Sequence, residues 1–254
     1  RTFHNHREAI LDVFGIEISF ARGQGYYIAN PDELDGSGIH TWLLESMSLS
    51  NLLNECADMH SRILFEKVPS SSRWLTVLVN AMRDGKAIQI SYKSFRRTEP
   101  TTFEAHPYCL KIFRQRWYML AHTIGKEELR IYSLDRIADI EVLDTPLLLP
   151  ENFDAADFFS DYFGIIIGHN IKPSILELKA SAEQAKYLES LPLHSSQETI
   201  ETTPEYTIFR YKIVPTFDLK QEILSRGATL EVLSPEWFRE EVVSEICKML
   251  NMYK

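Results

Sequence analysis

Apolar positions in the first part of the chain recur at helical spacing and then alternate as in short strands. Three apolar residues fall on one face of a helical wheel: Phe3, Ile10 and Phe14. Residues 16–20 and 26–28 alternate around a turn that contains two glycines. A helix followed by a hairpin corresponds to the second half of a winged helix, so we predict a partial winged helix over residues 1–34. We expect one or two further helices to precede it.

The next segment predicts helices that connect the winged helix to the rest of the chain. Three serines at positions 70–72 precede a run of apolar residues, and serine is favoured immediately before a helix. The apolar residues at helical spacing are Trp74, Leu75, Val77, Leu78 and Met82. We therefore predict a helical linker over residues 35–85 and assign no chemistry to it.

Apolar and polar residues alternate repeatedly in residues 86–145, which predicts short strands without intervening helices. The predicted strands cover residues 87–92, 102–104, 108–113, 116–123, 129–133 and 138–143. Short strands at regular spacing are typical of a small barrel, because closure removes exposed sheet edges. We therefore predict a small β-barrel over residues 86–145.

The last part of the chain predicts an α+β domain over residues 173–254. The predicted strands are residues 175–178, 207–214 and 228–233, and the predicted helices are residues 181–190, 217–226 and one that begins with a cap at Ser234. This order resembles a ferredoxin-like fold, and the whole chain is assigned to the α+β class. Residues 146–172 form a connecting segment, whose acidic and aromatic stretch 154–163 predicts a short helix packed on the barrel.

Charge is distributed unevenly along the chain, whose 254 residues carry a formal net charge of −9. Residues 86–142 carry 10 basic and 7 acidic side chains, whereas residues 143–254 carry 10 basic and 18 acidic side chains. A basic middle region favours an anion-binding site there. Three widely spaced cysteines argue against a disulfide scaffold and favour a reducing, cytoplasmic location. No apolar run is long enough to span a membrane.

Two motifs in the middle region have a distinctive composition and spacing. Residues 116–120 read RWYML, and residues 129–137 read LRIYSLDRI. Together they resemble the motifs of the WYL-domain family of bacterial transcription regulators, with Met119 at the third position of the Trp-Tyr-Leu run. The resemblance covers nearly the whole chain. It implies an N-terminal winged helix, an Sm-like or SH3-like barrel and a C-terminal WYL-associated extension.

The resemblance also implies that the barrel binds nucleotides, oligonucleotides or single-stranded nucleic acid. Arginine binds phosphate through paired hydrogen bonds, and tyrosine or histidine offers a stacking face with a polar group. The candidate ligand-binding residues are Tyr92, Arg116, Tyr118, His122, Arg130, Ser133 and Arg136.

Structural alternatives exist for several residues of this region. Trp117 and Tyr118 can belong to the barrel core, which is the favoured prediction for Trp117. Arg136 can form an ion pair instead of contacting a ligand. The acidic residues available to Arg136 are Asp135, Asp139 and Glu141. For Arg130 we favour a ligand contact, because its nearest acidic neighbours lie in the preceding turn.

The partial winged helix is expected to bind double-stranded operator DNA. Its helix would lie in the major groove and its hairpin would lie beside a phosphate. The candidate DNA-binding residues are Arg1, Thr2, His4, Asn5 and Arg22. Of these, Arg22 lies in the predicted turn and would contact the DNA backbone.

The sequence as a whole predicts a ligand-responsive bacterial transcription regulator. We predict a cytoplasmic homodimer that binds operator DNA and senses a nucleotide-like or single-stranded nucleic-acid ligand. The alternative is a nucleic-acid-binding or nucleotide-binding module in defence or RNA metabolism that does not regulate promoters. No enzyme is predicted, because the histidines are scattered and neither a His-Glu-x-x-His helix nor a phosphate-binding glycine loop occurs. No cofactor, metal or membrane partner is expected.

Overall fold

The chain divides into two compact units, residues 1–67 and 68–254. The computed structural model describes residues 17–22, 25–29, 72–168 and 171–254. In the first unit the described residues form an antiparallel hairpin of β1 (Ile18–Ala21) and β2 (Gly25–Ile28). This confirms the predicted hairpin, and Arg22 is exposed at its turn. The predicted helix lies outside the described residues, together with Arg1, Thr2, His4 and Asn5.

Within the described residues, the second unit begins with a helix packed on a sheet. Helix α1 (Ser72–Arg83) lies in the range predicted as linker, and it buries Leu78 and Ala81 in the core of the sheet. The indole N–H of Trp74 donates a hydrogen bond to the carbonyl oxygen of Ile137 at 3.0 Å. Helix α1 therefore shares one hydrophobic core with the strands that follow it.

Five antiparallel strands form the first sheet of this unit, in the order β6-β5-β4-β3-β7. They are β3 (Lys86–Tyr92), β4 (Thr101–Phe113), β5 (Arg116–Thr123), β6 (Arg130–Ser133) and β7 (Ile137–Pro146). A 3₁₀ helix, Leu134–Arg136, connects the edge strands β6 and β7. The N–H of Lys93 donates to the carbonyl oxygen of Arg136 at 3.0 Å, which ties the end of β3 to this connection.

Strand β4 corrects the prediction of two separate strands at residues 102–104 and 108–113. Its first residues pair with β3 and its later residues pair with β5, so Ala105 has a partner on both sides. Pro107 has no N–H to donate, and the register with β5 shifts between Pro107 and Cys109. The proline is accommodated by this irregularity, and the strand continues past it.

Alternate residues of these strands form the core of the first sheet, as expected for strands with one buried face. The buried members from the strands and the 3₁₀ helix are Ile88, Ile90, Tyr92, Ala105, Met119, Ala121, Tyr132, Leu134 and Ile137. Trp117 packs against this core and is partly buried. That position agrees with the favoured prediction for Trp117.

A buried histidine makes the stability of this sheet dependent on pH. The His106 side chain is fully buried, and its Nδ1 accepts a hydrogen bond from the Leu148 N–H at 3.0 Å. Burial lowers the pKa of His106; the Glu104 carboxylate, 3.5 Å from Nε2, opposes this shift, and the His122 ring adds to it. The unfolded chain binds this proton more readily than the folded chain. Lowering the pH through the ordinary histidine range is therefore expected to reduce the free energy of unfolding.

The measurement is urea unfolding of wild type and His106→Asn at neutral and mildly acidic pH. Asparagine can accept the same hydrogen bond and does not titrate, so the variant should lose less stability on acidification. Burial also lowers the pKa of His194, which contributes to the pH dependence of both proteins. Equal losses in wild type and variant would contradict the assignment to His106.

The segment between the two sheets, residues 151–168, is called the strap here. It contains the short helix α2 (Ala155–Phe159), whose first turn is capped by the Asp154 carboxylate accepting from the Asp157 N–H at 2.8 Å. The predicted helix over residues 154–163 is therefore shorter than expected. Aromatic rings attach the strap to the first sheet through two contacts. These are Tyr108–Phe153, with ring centroids 5.1 Å apart, and Phe113–Phe163, with centroids 5.7 Å apart.

The second sheet has four antiparallel strands in the order β11-β8-β10-β9. The strands are β8 (Ser174–Ser181), β9 (Glu198–Thr202), β10 (Tyr206–Ile213) and β11 (Leu230–Ser234). The helices are α3 (Ala182–Ser190), α4 (Phe217–Ser225) and α5 (Glu236–Met252). The first six elements follow the β-α-β-β-α-β connectivity of a ferredoxin-like layer, and α5 follows them. Their core includes Leu176, Leu178, Phe209, Tyr211, Ile213 and Phe238.

Two helix ends of this domain differ in how well they were predicted. Gly227 follows α4 with a φ of 60°, which agrees with the predicted glycine stop. The predicted cap of the last helix is wrong: Ser234 is the final residue of β11, and Pro235 precedes the first turn of α5. No helix in the described parts of the chain combines the length and the apolar character needed to cross a membrane.

Backbone groups of the strap are held by one side chain from β4 and one from α4. The Lys111 ammonium on β4 donates to the carbonyl oxygen of Gly164 at 2.9 Å. The Asp218 carboxylate on α4 accepts from the N–H groups of Ile165 and Ile166 at 2.8 and 2.7 Å. The tip of the β4–β5 hairpin also reaches α4, where an Arg114–Glu222 ion pair closes to 2.7 Å. The domain of the first sheet and that of the second are thus joined by the strap and by the Arg114–Glu222 ion pair.

Candidate ligand-binding site

Five of the seven predicted ligand-binding residues lie where the start of β5 is beside the end of β6 and the 3₁₀ helix that follows it. Tyr118 pairs with Ser133 across the two strands. The Ser133 N–H donates to the Tyr92 hydroxyl at 3.3 Å. Arg116 begins β5 and Arg136 ends the 3₁₀ helix, and the charges of both guanidinium groups act on Tyr118. The term arginine cluster is used below for Arg116, Tyr118, Asp135 and Arg136.

The structure places the remaining two residues, His122 and Arg130, at the far end of the same strand pair. Arg130 pairs with Ala121, whereas Ser133 pairs with Tyr118, so Arg130 lies three positions along β6. Strand alternation also directs Arg130 to the face opposite that of Ser133. The His122 ring is hydrogen-bonded to a backbone carbonyl of the following turn at 3.1 Å. The predicted set is therefore divided between two ends of the sheet.

The arginine cluster contains one weak ion pair. The Arg116 guanidinium lies 3.7 Å from the Asp135 carboxylate, and their side chains are 45% and 21% exposed. The Ser133 hydroxyl donates a hydrogen bond to the Asp135 carboxylate. Ion pairs with this much solvent access contribute little, typically about 0–1 kcal/mol. An incoming anion could therefore take the place of Asp135 beside Arg116 at small cost.

Arg136 lies between two aromatic rings. Its guanidinium carbon is 5.4 Å from the centroid of the Tyr92 ring and 4.5 Å from that of Phe95. The Tyr92 ring is itself fixed by an edge contact with Tyr132, with centroids 5.1 Å apart. Stacked guanidinium groups keep their N–H donors available at the edge of the plane. Arg136 is thus held in place while retaining its capacity to bind a phosphate or carboxylate.

Tyr118 provides a hydroxyl beside these charges. Burial raises the pKa of the Tyr118 hydroxyl. The positive charges of Arg116 and Arg136 oppose this rise, and the carboxylates of Asp135 and Asp218 add to it. The hydroxyl therefore stays protonated at neutral pH and can donate a hydrogen bond to an anion. The Asp218 carboxylate, which acts on this hydroxyl, belongs to the first turn of α4.

Lys111 pairs with Tyr118 across β4 and β5, but its side chain contacts the strap. Its ammonium binds the Gly164 carbonyl and lies 3.9 Å from the centroid of the Phe159 ring. Burial lowers the pKa of Lys111 to about 8, and the nearby Cys109 and Asp218 oppose this shift. This positive charge is therefore engaged in holding the strap.

Sequence reasoning missed two residues that shape the site and one that adjoins it. Phe95 stacks on Arg136, and its sequence signal was its position between Lys93 and the basic residues at 96 and 97. Asp135 was considered only as a partner of Arg136, whereas its ion pair is with Arg116. Asp218 lies more than 80 residues from the motifs, and no local pattern connects it to them.

The chemistry available at this site is binding through charge, hydrogen bonds and stacking. In the described part of the chain, no group of three or more His, Cys, Asp and Glu side chains is arranged to hold a metal ion. Burial raises the pKa of the Cys109 thiol to about 11, so this thiol stays protonated at neutral pH.

Two solved structures are similar to parts of this chain. One is proteasome accessory factor B/C (PafBC) of Arthrobacter aurescens, with 18% identity, 74% of this chain and 28% of that chain covered, and a TM-score of 0.32. The other is a CRISPR Cas-related protein, with 13% identity, 72% of this chain and 52% of that chain covered, and a TM-score of 0.43. The chain thus spans about a quarter and about half of the lengths of these two proteins. No curated protein matches the chain significantly.

Two family models match the second unit of the chain. The model of the WYL domain matches residues 73–142, which cover α1 except Ser72, strands β3 to β6, the first part of β7 and the arginine cluster. The model of the WCX domain matches residues 174–250, which cover the second sheet, α3, α4 and all but the last two residues of α5. Together the two models cover more than half of the chain. The chain therefore belongs to the WYL-domain family, and it carries a WYL domain followed by a WCX domain.

Proposed function

We propose that this protein is a ligand-responsive transcription regulator whose arginine cluster binds a nucleotide-like or single-stranded nucleic-acid ligand. The observation that carries the proposal is the placement of two arginines around Tyr118: Arg116 lies two residues before it on β5, and Arg136 lies on the 3₁₀ helix that follows Ser133, the β6 partner of Tyr118. Only one acidic residue of the cluster, Asp135, competes for these donors, through a partly exposed ion pair of 3.7 Å. Two guanidinium groups with a neutral donor between them suit a phosphate.

The ligand would take the place of a weak internal contact. A phosphate bound to Arg116 replaces the Asp135 carboxylate and gains charge-assisted hydrogen bonds. Tyr92 and Phe95 hold the second guanidinium by stacking, so little side-chain freedom of Arg136 is lost on binding. The roles of His122 and Arg130 at the other end of the sheet stay predictions.

The fold of the first sheet supports the finer part of this proposal. Its edge strands β6 and β7 are joined by the three-residue 3₁₀ helix, a connection that suits an Sm-like or SH3-like barrel. In the first unit, a hairpin with exposed Arg22 at its turn is consistent with the wing of a winged helix. Binding of operator DNA by this unit and formation of a homodimer are parts of the proposal.

Ligand binding would act on the rest of the protein through the joint between the two domains. The arginine cluster lies near Asp218, which holds the strap, and the β4–β5 hairpin carries Arg114, which pairs with Glu222. A ligand that binds one arrangement of the domains more tightly shifts the population toward it.

The test is thermal stability in the presence of mononucleotides, cyclic and linear dinucleotides, and short single-stranded DNA and RNA. A ligand at a hundredfold excess over its Kd is expected to stabilise wild type by about 2.7 kcal/mol. Arg116→Ala and Arg136→Ala should abolish this stabilisation because each removes a phosphate-binding donor.

The matched control is Arg210→Ala. The Arg210 side chain is 44% exposed, close to the 45% of Arg116, and it pairs with Glu177 on the second sheet. This variant should respond to the ligand as wild type does. A well-folded wild type that responds to none of the ligands, or an unchanged response in both cluster variants, would overturn the proposal.

A further inference from the structure

The loop between β3 and β4, residues 93–100, carries an exposed aromatic ring beside the arginine cluster. We propose that Phe95 stacks on an unpaired base and that the basic residues of this loop bind the phosphates flanking that base. The loop would thus form a second subsite that extends the ligand to a strand of two or more nucleotides. This inference rests on the proposed function, because it deepens the assignment of the same site.

The exposure of Phe95 is the first observation. The side chain is 86% exposed, although burying a phenylalanine stabilises a protein by about 1.5–3 kcal/mol. Phe95 is also the only large apolar residue in residues 93–100. Within this loop, no second large apolar side chain extends the ring into the contiguous patch that marks a protein interface or a membrane anchor. A single planar surface is sufficient to stack one base.

The position of the ring is the second observation. The guanidinium carbon of Arg136 lies 4.5 Å from the centroid of the Phe95 ring, so Phe95 contacts a member of the cluster directly. The base of the loop is fixed by the hydrogen bond from the Lys93 N–H to the Arg136 carbonyl oxygen. A turn with the Arg97 N–H donating to the Ser94 carbonyl at 3.3 Å holds the tip. The ring is therefore presented to solvent from an anchored turn.

The charges of the loop are the third observation. Lys93, Arg96 and Arg97 are all exposed, and Glu99 is the one acidic residue in residues 93–100. A base on Phe95 would have Arg136 toward the cluster and two further arginines along the loop. Positive charges in both directions suit a base with phosphates on both sides, as in a nucleic-acid strand. A mononucleotide has its phosphate on one side only.

The experiment measures binding of a fluorescein-labelled decathymidylate to the full chain by fluorescence anisotropy. Phe95→Ala is expected to raise the Kd about 10-fold to 100-fold, the range that corresponds to loss of one base–aromatic stack. Phe95→Trp should bind as wild type does, because it keeps a stacking surface. Phe95→Leu keeps an apolar cover on Arg136 without an aromatic face, and it should bind as weakly as Phe95→Ala.

The control variant is Tyr187→Ala, which removes a ring that is 61% exposed on α3. It should leave the Kd unchanged. Thymidine monophosphate, measured by thermal shift, should bind Phe95→Leu and wild type equally. Both results would separate the stacking contact from a general effect on Arg136 or on folding.

Four outcomes would decide against this inference. If Arg136→Ala loses the decathymidylate while Phe95→Ala binds as wild type does, the subsite is overturned and the proposed function stands. If Phe95→Leu binds as tightly as wild type, the contribution of Phe95 to binding comes from its apolar contact with Arg136 and not from stacking on a base. If wild type binds neither probe, the proposed function fails and the subsite fails with it. If Phe95→Ala loses binding to phosphatidylserine–phosphatidylcholine vesicles with the oligonucleotide Kd unchanged, the ring is a membrane contact.

Discussion

Replacing Phe238 with alanine is expected to destabilise the WCX domain by about 3–5 kcal/mol. Phe238 lies in the first turn of α5 and is fully buried in the core of the second sheet. Its ring attaches a helix of 17 residues to the sheet at the end where no side chain caps the first turn. Removing the ring leaves a cavity between α5 and the sheet and weakens the only end of α5 that is deeply buried.

The adjacent residue provides the control for this prediction. Trp237 is larger than Phe238 but 44% exposed, so Trp237→Ala should cost far less stability. Urea unfolding followed by far-UV circular dichroism compares the two variants with wild type. Equal losses from the two variants would contradict the placement of Phe238 as the anchor of α5.

Replacing Gly164 with alanine is expected to destabilise the joint between the two domains by about 2–4 kcal/mol. A Cβ atom at this position would lie 2.8 Å from the Asp218 Cγ and closer still to its Oδ2. The carboxylate would have to move, and the N–H groups of Ile165 and Ile166 would lose their acceptor. Overpacking and the loss of two hydrogen bonds to the carboxylate both lower the stability of the joint.

The joint can be followed by urea unfolding together with limited proteolysis of the strap. Gly164→Ala should lower the unfolding midpoint and speed cleavage within the strap. Ile166→Ala, which shortens an exposed side chain two residues away, serves as the control and should change neither. A Gly164→Ala protein as stable and as resistant as wild type would show that the strap does not depend on Asp218.

The strands of the WYL domain could be predicted because alternate residues of each face one hydrophobic core, which imposes a period of two on the sequence. That period separates Trp117 and Met119 from Tyr118, and the structure shows that the face of Trp117 and Met119 is the one that packs in the core. The error at β4 has a local cause: Pro107 is typical of a strand end, and only the pairing with two neighbours shows that the strand continues. Alternation assigns faces, but it does not reveal which partners a strand has.

The candidate site was predicted in part for the same reason. Arg130 and Arg136 belong to one motif, and the sequence gives no sign that one points away from the other. The register of β5 with β6 and the 3₁₀ helix separate them, so only Arg136 joins Arg116. Phe95 and Asp218 come from a loop and from another domain, and their proximity to the motif depends on tertiary structure alone.

In evolutionary terms, the way the strap is held places unequal constraints on neighbouring positions. Lys111 and Asp218 bind backbone atoms of residues 164–166, and these contacts do not involve the side chains of Ile165 and Ile166. Substitutions at Ile165 and Ile166 by any residue except proline, which has no backbone N–H, therefore leave these hydrogen bonds available. Homologous chains with the same joint are expected to conserve a lysine, a glycine and an aspartate at the positions of Lys111, Gly164 and Asp218. The positions of the two isoleucines are expected to vary.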